Sequence, residues 1–266
     1  MPVTEIRVSS LSDLIAAVTP TEPDPRTGRL RDSGVYRGAL NAAWPLLSSL
    51  DTLGGTAPPH GKGELEEHIL RNFIRYSRPF LGTTPVNDWE VLVVAQHHGL
   101  PTRLLDWTYS PLVAAHFATL GGRRDADRAV WRLDWQAVHR RFELPPLALL
   151  IQDLDNLFPE ERPFTPWKLF ASSARRRRDF ACMIEPPSLN ARIVAQAATF
   201  TLCSEKSLPF DAFLDRHGLA GALTKFVVPA ADAGRLRDQL DLVSVDERRL
   251  FPDLDGLAEH LRRYYS

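Results

Sequence analysis

Apolar residues along the chain fall into short runs with two periods. In residues 64–80, Leu65, Ile69, Phe73 and Ile74 recur at roughly helical spacing, which predicts an amphipathic helix. Residues 10–18 read as a short helix capped by Ser10, with Asp13 three positions on. A further helix is expected from a cap at Asn87 or Asp88 through about His98. Gly99-Leu100-Pro101 ends it, since Gly suits the position past a helix and Pro cannot continue one. Residues 102–108 then predict a strand, and Ser110 caps a third helix with Pro111 at its first position. In that helix Ala114, Ala115 and Ala118 permit close packing on a strand. Strands are also expected at 34–40, 128–134, 180–185, 199–203 and 223–228. Short helices are expected at 135–142, 190–198, 209–217, 232–240 and 255–264. Residues 19–32 and 52–62 read as loops, and residues 145–180 carry little readable pattern.

Five or six short strands among eight or so helices, without regular alternation, predict an α+β single domain with small mixed or antiparallel sheets. The expected division is an N-terminal helix and loop over 1–33 and the main domain over 34–266. Composition fits: 44% of residues are apolar and 24% charged, as in ordinary globular proteins. A net charge of −1 excludes a global attraction to nucleic acid or acidic membranes. It leaves the basic run Arg175, Arg176, Arg177 and Arg178 as a candidate local contact, or else a solvated helix face. The two cysteines, Cys182 and Cys203, make neither a disulfide scaffold nor a zinc motif. No signal peptide or spanning run is visible, so a cytoplasmic location without membrane association is expected.

The chemistry concentrates in residues 96–118, where polar side chains interrupt apolar runs and each needs a partner. His97 and His98 are adjacent on a helix, so at most one is expected to face a site. Arg103 and Asp106 are three apart on the predicted strand and so face opposite ways. One is then buried with a partner elsewhere, and Asp106 is free to orient Arg37. Thr108 and Ser110 read either as site hydroxyls or as a turn and a cap. Gln196 reads as a site amide or as a helix brace. No Walker pattern, dinucleotide glycine fingerprint or Gly-x-Ser-x-Gly is present.

The blocks resemble a known family. Tyr36-Arg37-Gly38 matches the tripeptide after which FRG domains are named. Residues 96–118, with Gly-Leu-Pro-Thr-Arg-Leu-Leu-Asp-Trp-Thr and an apolar helix, match its longest signature. Residues 190–200, NARIVAQAATF, resemble its third block, with Ala197 where the family usually has Gly. Residues 223–229 and 250–257 resemble its closing strand and helix. A more distant resemblance is to ADP-ribosyltransferases, which use three separated blocks around NAD. Val35-Tyr36-Arg37-Gly38 is similar to the first and residues 106–118 to the second. The third carries a Glu, sometimes replaced; here Gln196 stands where the FRG pattern has its polar residue, and Glu185 and Glu205 are nearby carboxylates.

That resemblance implies an ADP-ribosyltransferase-like core and NAD as cofactor. Arg37, Asp106, Thr108 and Gln196 would be catalytic. Tyr36, Arg37, Gly38, His97, Trp107 and Tyr109 would bind the cofactor. In this scheme Arg37 grips the pyrophosphate, Gly38 lets the backbone approach it, and Tyr36, Trp107 or Tyr109 stacks on nicotinamide. The acceptor would be a nucleic acid or a protein. The implied setting is a bacterial toxin or antiphage defence effector, with an antitoxin or immunity partner. The alternatives are a nucleotide- or RNA-binding module without catalysis, and a hydrolase using His97 and Asp106.

Overall fold

A computed structural model describes residues 2–25, 27–53, 61–81, 85–121, 125–171, 178–188 and 191–266. Arg175, Arg176 and Arg177 of the basic run lie outside them, as does most of the loop expected at 52–62. Arg178 is described, and it pairs with Glu143 at 2.6 Å.

The protein is an α+β fold built on one mixed sheet, larger than the small sheets expected from the sequence. Its strands are β1 (Thr4–Arg7), β2 (Val35–Ala39), β3 (Leu105–Thr108), β4 (Arg128–Leu133), β5 (Leu149–Leu150), β6 (Ala181–Glu185), β7 (Ala198–Cys203) and β8 (Leu223–Val228). They run in the order β1-β8-β4-β2-β3-β7-β6-β5. Only the outer pairs, β1 with β8 and β5 with β6, are parallel; the rest are antiparallel. The N-terminal segment therefore supplies an edge strand as well as its helix, Leu11–Val18.

Alternation along the strands builds two cores. On β4, Ala129, Trp131 and Leu133 enter the larger one and Val130 the smaller. On β2, Val35 enters the larger and Tyr36 the smaller. The smaller core is roofed by the helices Pro111–Thr119 and Ala233–Leu242, through Ala114, Ala115, Ala118, Leu236 and Leu240. Helix Pro111–Thr119 lies very close to β2. A Cβ on Gly38 would stand 2.2 Å from the Ala114 carbonyl oxygen and 2.5 Å from the Ala118 amide nitrogen. Gly38 is thus required by helix packing, a reason for glycine that the sequence reading did not include.

Local signals end the elements as the sequence predicts. Asn87 accepts the Glu90 amide at 3.0 Å to start the helix Asp88–His97. Gly99, at φ +82°, closes it in the left-handed region that glycine tolerates. Ser110 accepts the Val113 amide at 3.3 Å, with Pro111 in the first turn. Among the described residues, no helix is long and apolar enough to cross a membrane.

Under helix Pro111–Thr119 lies a buried ionic cluster. His116 is fully buried, with Nδ1 2.6 Å from Arg237 Nη1. Arginine has only donors, so Nδ1 must accept and the ring is neutral. Arg237 also pairs with Glu247, which Arg263 holds at 2.8 Å while reaching Asp241 at 2.7 Å. Burial and the Arg237 charge push the His116 pKa down to about 4. A depressed histidine contributes stability that is full above about pH 6.5 and is lost as pH falls towards 4. The expected loss is about 3 kcal/mol by pH 4. Denaturant unfolding at a series of pH values checks it, and a His116→Gln variant should lose this part of the slope.

Candidate functional site

The ladder between β2 and β3 consists of one pair, Tyr36 with Thr108, whereas β2 and β4 share five and β3 and β7 share four. Past that pair β2 and β3 part. Arg37 crosses the opening, and its Nη1 donates to the Asp106 carbonyl at 2.7 Å. A side chain thus satisfies a backbone acceptor that the shortened ladder leaves without a strand partner.

Over this opening lies a cavity of about 950 Å³, towards the upper end for ligand sites. Its walls come from β2 (Tyr36 to Gly38), the end of the helix Asp88–His97 with the turn after it (Gln96 to Leu100), and β3 (Asp106 to Thr108). The third-block helix Ala191–Ala195 and β7 close one side, and Pro252 and Asp253 another. Arg37, Asp106, Thr108 and Gln196, drawn from three distant blocks, all line it.

Their hydrogen bonds are specific. The Asp106 carboxylate stands 3.6 Å from Arg37 Nη1 and accepts both 3.0 Å bonds from Gln96 Nε2. Gln96 is oriented in turn by Thr102, whose hydroxyl donates to Oε1 at 2.6 Å. Burial works against the Arg37 charge, and the neighbouring Asp106 opposes that effect. The Asp106 side chain is 56% exposed, so it opens to the cavity rather than being consumed by the pair. Arg103, as expected, faces the other way and is fully buried against Glu66.

Thr108 and Gln196 brace the walls. The Thr108 hydroxyl donates to the Gln196 carbonyl at 2.7 Å and accepts the Ser110 amide at 3.0 Å. Its one proton is thereby committed to the fold. Gln196 Nε2 donates to the Leu250 carbonyl at 3.1 Å and ties the third block to the C-terminal segment.

Three aromatic candidates do not offer a stacking face. Tyr36 is 2% exposed, packed in the smaller core with its hydroxyl on Asp32. Trp107 is 3% exposed; its indole donates to Thr201 at 3.0 Å in the larger core. Tyr109 lies outside the cavity lining, and its hydroxyl donates to Glu185 at 2.6 Å. Strand alternation explains Tyr36 and Trp107: each points into a core while its neighbour Arg37 or Asp106 turns to the opening. Neither third-block carboxylate lines the cavity. Glu185 is held by Tyr109. Glu205 accepts the Lys206 and Ser207 amides at 2.7 Å and pairs with Arg216 at 3.1 Å, and its pKa is lowered to about 2.

Both histidines line the cavity, against the expectation of one. His98 has already left the helix at its C-cap, so the two rings stand perpendicular, with centroids 5.1 Å apart. Burial, then the positive Arg192, lower the His97 pKa, so it is neutral at pH 7. Arg192 is the functional candidate that residue-by-residue reading missed. It lines the cavity and stacks its guanidinium 4.7 Å over the Phe251 ring. Its signal was present as the Arg of the third block. Asp253, a further lining carboxylate, caps the last helix by accepting the Gly256 amide at 2.8 Å. Among the described residues, no group of three or more His, Cys, Asp or Glu is placed to hold a metal ion.

The turn after the third-block helix carries a backbone signature. Ala197 has φ +44°, where a side chain is strained, and its carbonyl accepts the Tyr109 amide at 3.1 Å. This turn links the third block to the strand β3 end, and glycine suits its geometry. Tyr36-Arg37-Gly38 and the Gln96–Ala118 signature are thus both placed on the cavity by the structure, and residues 32–127 match the model of the FRG domain. Over that segment the chain is similar to the FRG domain. That match covers roughly a third of the chain and includes the first two walls of the cavity. No curated protein and no solved structure matches the chain. The family's usual glycine at position 197 fits the left-handed turn found there. An Ala197→Gly variant is expected to be more stable by about 0.5–1 kcal/mol, because the left-handed penalty exceeds the added entropy of glycine. Thermal unfolding checks it; a less stable variant would contradict the turn geometry.

Proposed function

We propose that this cavity binds NAD and that the protein is an ADP-ribosyltransferase-type enzyme acting on a macromolecular acceptor. The observation that carries the reading is convergence: three blocks that resemble the transferase blocks meet on one cavity around Arg37, Asp106 and Gln196. Two guanidinium groups, Arg37 and Arg192, line the cavity beside the carboxylates Asp106 and Asp253 and supply the forked donors suited to a pyrophosphate. Arg37 is held in place before any ligand arrives, so little ordering entropy remains to be lost on binding.

In the proposed reaction the bond between nicotinamide and the ribose C1′ breaks, and nicotinamide leaves with the electron pair. Positive charge develops on the ribose, and an acceptor oxygen or nitrogen bonds to C1′. Asp106, opening to the cavity, faces the developing charge and takes the acceptor's proton. Gln96 and Arg37 keep its carboxylate oriented. Neither Glu185 nor Glu205 lines the cavity, so Asp106 carries the acidic role in this reading. A toxin or antiphage effector held by a neutralising partner is the setting that fits such an activity.

A second reading has its own support. Glu185 and Glu205 both lie outside the cavity lining, which favours a nucleotide-binding module without turnover. Incubating the protein with labelled NAD and cell lysate separates the two. Nicotinamide release or label transfer, abolished in Asp106→Asn, is the expected result. Saturable NAD binding with neither product would establish the binding module instead.

A further inference from the structure

A second depression, of about 510 Å³, runs along the helix Lys62–Ser77 and the turn Arg78–Phe80 after it. It is lined by Phe73, Tyr76 and Phe80 among others, and shares His98 and Leu100 with the larger cavity. The two therefore meet at the same residues, at the end of the helix Asp88–His97.

Two features of this groove point to one chemistry. The first is exposed aromatic surface. Tyr76 is 62% exposed and Phe80 86%, and the two rings stand together along one groove. The second is charge. Beside the groove, flanking rather than lining it, are Arg71, Arg75 and Arg78; Arg71 and Arg75 share their face of the helix with Glu64 and Glu67, and no carboxylate follows from His68 to Leu81. All three arginines are exposed, and Arg75 already lies 5.0 Å over the Tyr76 ring. Arg71 is partly offset by Glu67 at 3.7 Å, one turn back towards the helix start. Rings for bases interleaved with arginines for phosphates form the usual platform for single-stranded nucleic acid. An apolar peptide would use the rings but would gain nothing from three cations.

We propose that this groove binds single-stranded nucleic acid and leads it past His98 to the cavity. The inference deepens the transferase reading by naming its acceptor class: a base or terminal group of the strand would present the oxygen or nitrogen that receives ADP-ribose. Successive bases stack on Phe80 and Tyr76, and Arg75 and Arg78 meet the backbone.

The binding measurement itself needs no NAD, so it stands or falls separately from the cavity reading. Fluorescence anisotropy is measured with a labelled single-stranded oligothymidylate of about twelve nucleotides, a length matched to such sites. Saturable binding is expected, with a log–log salt slope of about −1.4 for two arginine contacts. Tyr76→Ala and Phe80→Ala should each weaken binding roughly tenfold or more. Both side chains are exposed, so both variants should fold, and NAD binding measured by calorimetry should be unchanged in them. Absence of binding overturns the proposal. So does equal binding by the variants, or equal affinity for the same length of duplex. Label transferred from NAD only to protein, in a lysate that also contains single-stranded nucleic acid, would also overturn it.

Discussion

Replacing Glu66 with alanine is expected to destabilise the protein by about 3–5 kcal/mol, the cost of leaving one member of a buried ion pair without its partner. Glu66 and Arg103 are each 1% exposed at the side chain. One carboxylate oxygen accepts the Arg103 backbone amide and the other its Nε, both at 2.7 Å. The guanidinium also lies 4.9 Å over the Phe170 ring. Lys206 reaches the Arg103 carbonyl at 3.4 Å, so a second cation stands beside the first. Without Glu66 the Arg103 guanidinium loses its carboxylate partner in a low-dielectric site, and the remaining carboxylate there, Asp51, acts on Lys206. This pair fastens the helix Lys62–Ser77, which carries the proposed nucleic-acid groove, to the segment that enters β3. Denaturant titration measures the loss. Glu66→Gln, which keeps an acceptor for the amide, should lose less than Glu66→Ala. A loss below about 1 kcal/mol in the alanine variant would mean that the pair is solvated rather than buried.

The second large effect is at Arg37. Arg37→Ala should weaken NAD binding by roughly ten- to a hundredfold, the range for removing a hydrogen-bonded charge. Arg37→Lys keeps the charge but loses the planar fork, and should recover only part of the affinity. Arg37 also satisfies the Asp106 carbonyl, so its removal loosens the β2–β3 opening. Thermal unfolding of both variants separates that structural loss from the loss of ligand contact. Lysine restores little of the carbonyl geometry but all of the charge.

Much of this site was legible in the sequence because its signals are local. The Asn87 and Ser110 caps, Gly99 past a helix end and Pro111 at a helix start are each fixed by chemistry within a few residues. Arg103 and Asp106 face opposite ways as expected, although the strand begins only at Leu105 and Arg103, which precedes it, does not owe its direction to strand alternation. What was not legible depends on distant partners. The strand β1, Thr4–Arg7, is mostly exposed and lacks alternating apolar residues; it becomes a strand only by pairing with β8 more than two hundred residues away. For the same reason two small sheets and one large sheet look alike from the chain, since the pairing that joins them is long-range.

The site itself shows the same division. Arg37 and Asp106 could be singled out from their blocks, but whether a neighbouring ring faces a ligand or a core depends on which side each core occupies. Tyr36 and Trp107 face the cores. Gly38 matched the family tripeptide, yet what it accommodates is the helix Pro111–Thr119, and no local pattern shows that contact. The pairing of Glu185 with Tyr109 removes a carboxylate that sequence distance alone kept as a candidate.

The central claim is that Arg37, Asp106 and the third block form one nucleotide site. Isothermal titration of NAD into the wild-type protein and into Arg37→Ala tests it most directly. The account predicts saturable one-to-one binding by the wild type, weakened tenfold or more in a variant that still folds. No saturable heat with the wild type, or equal affinity in the two proteins, would contradict it.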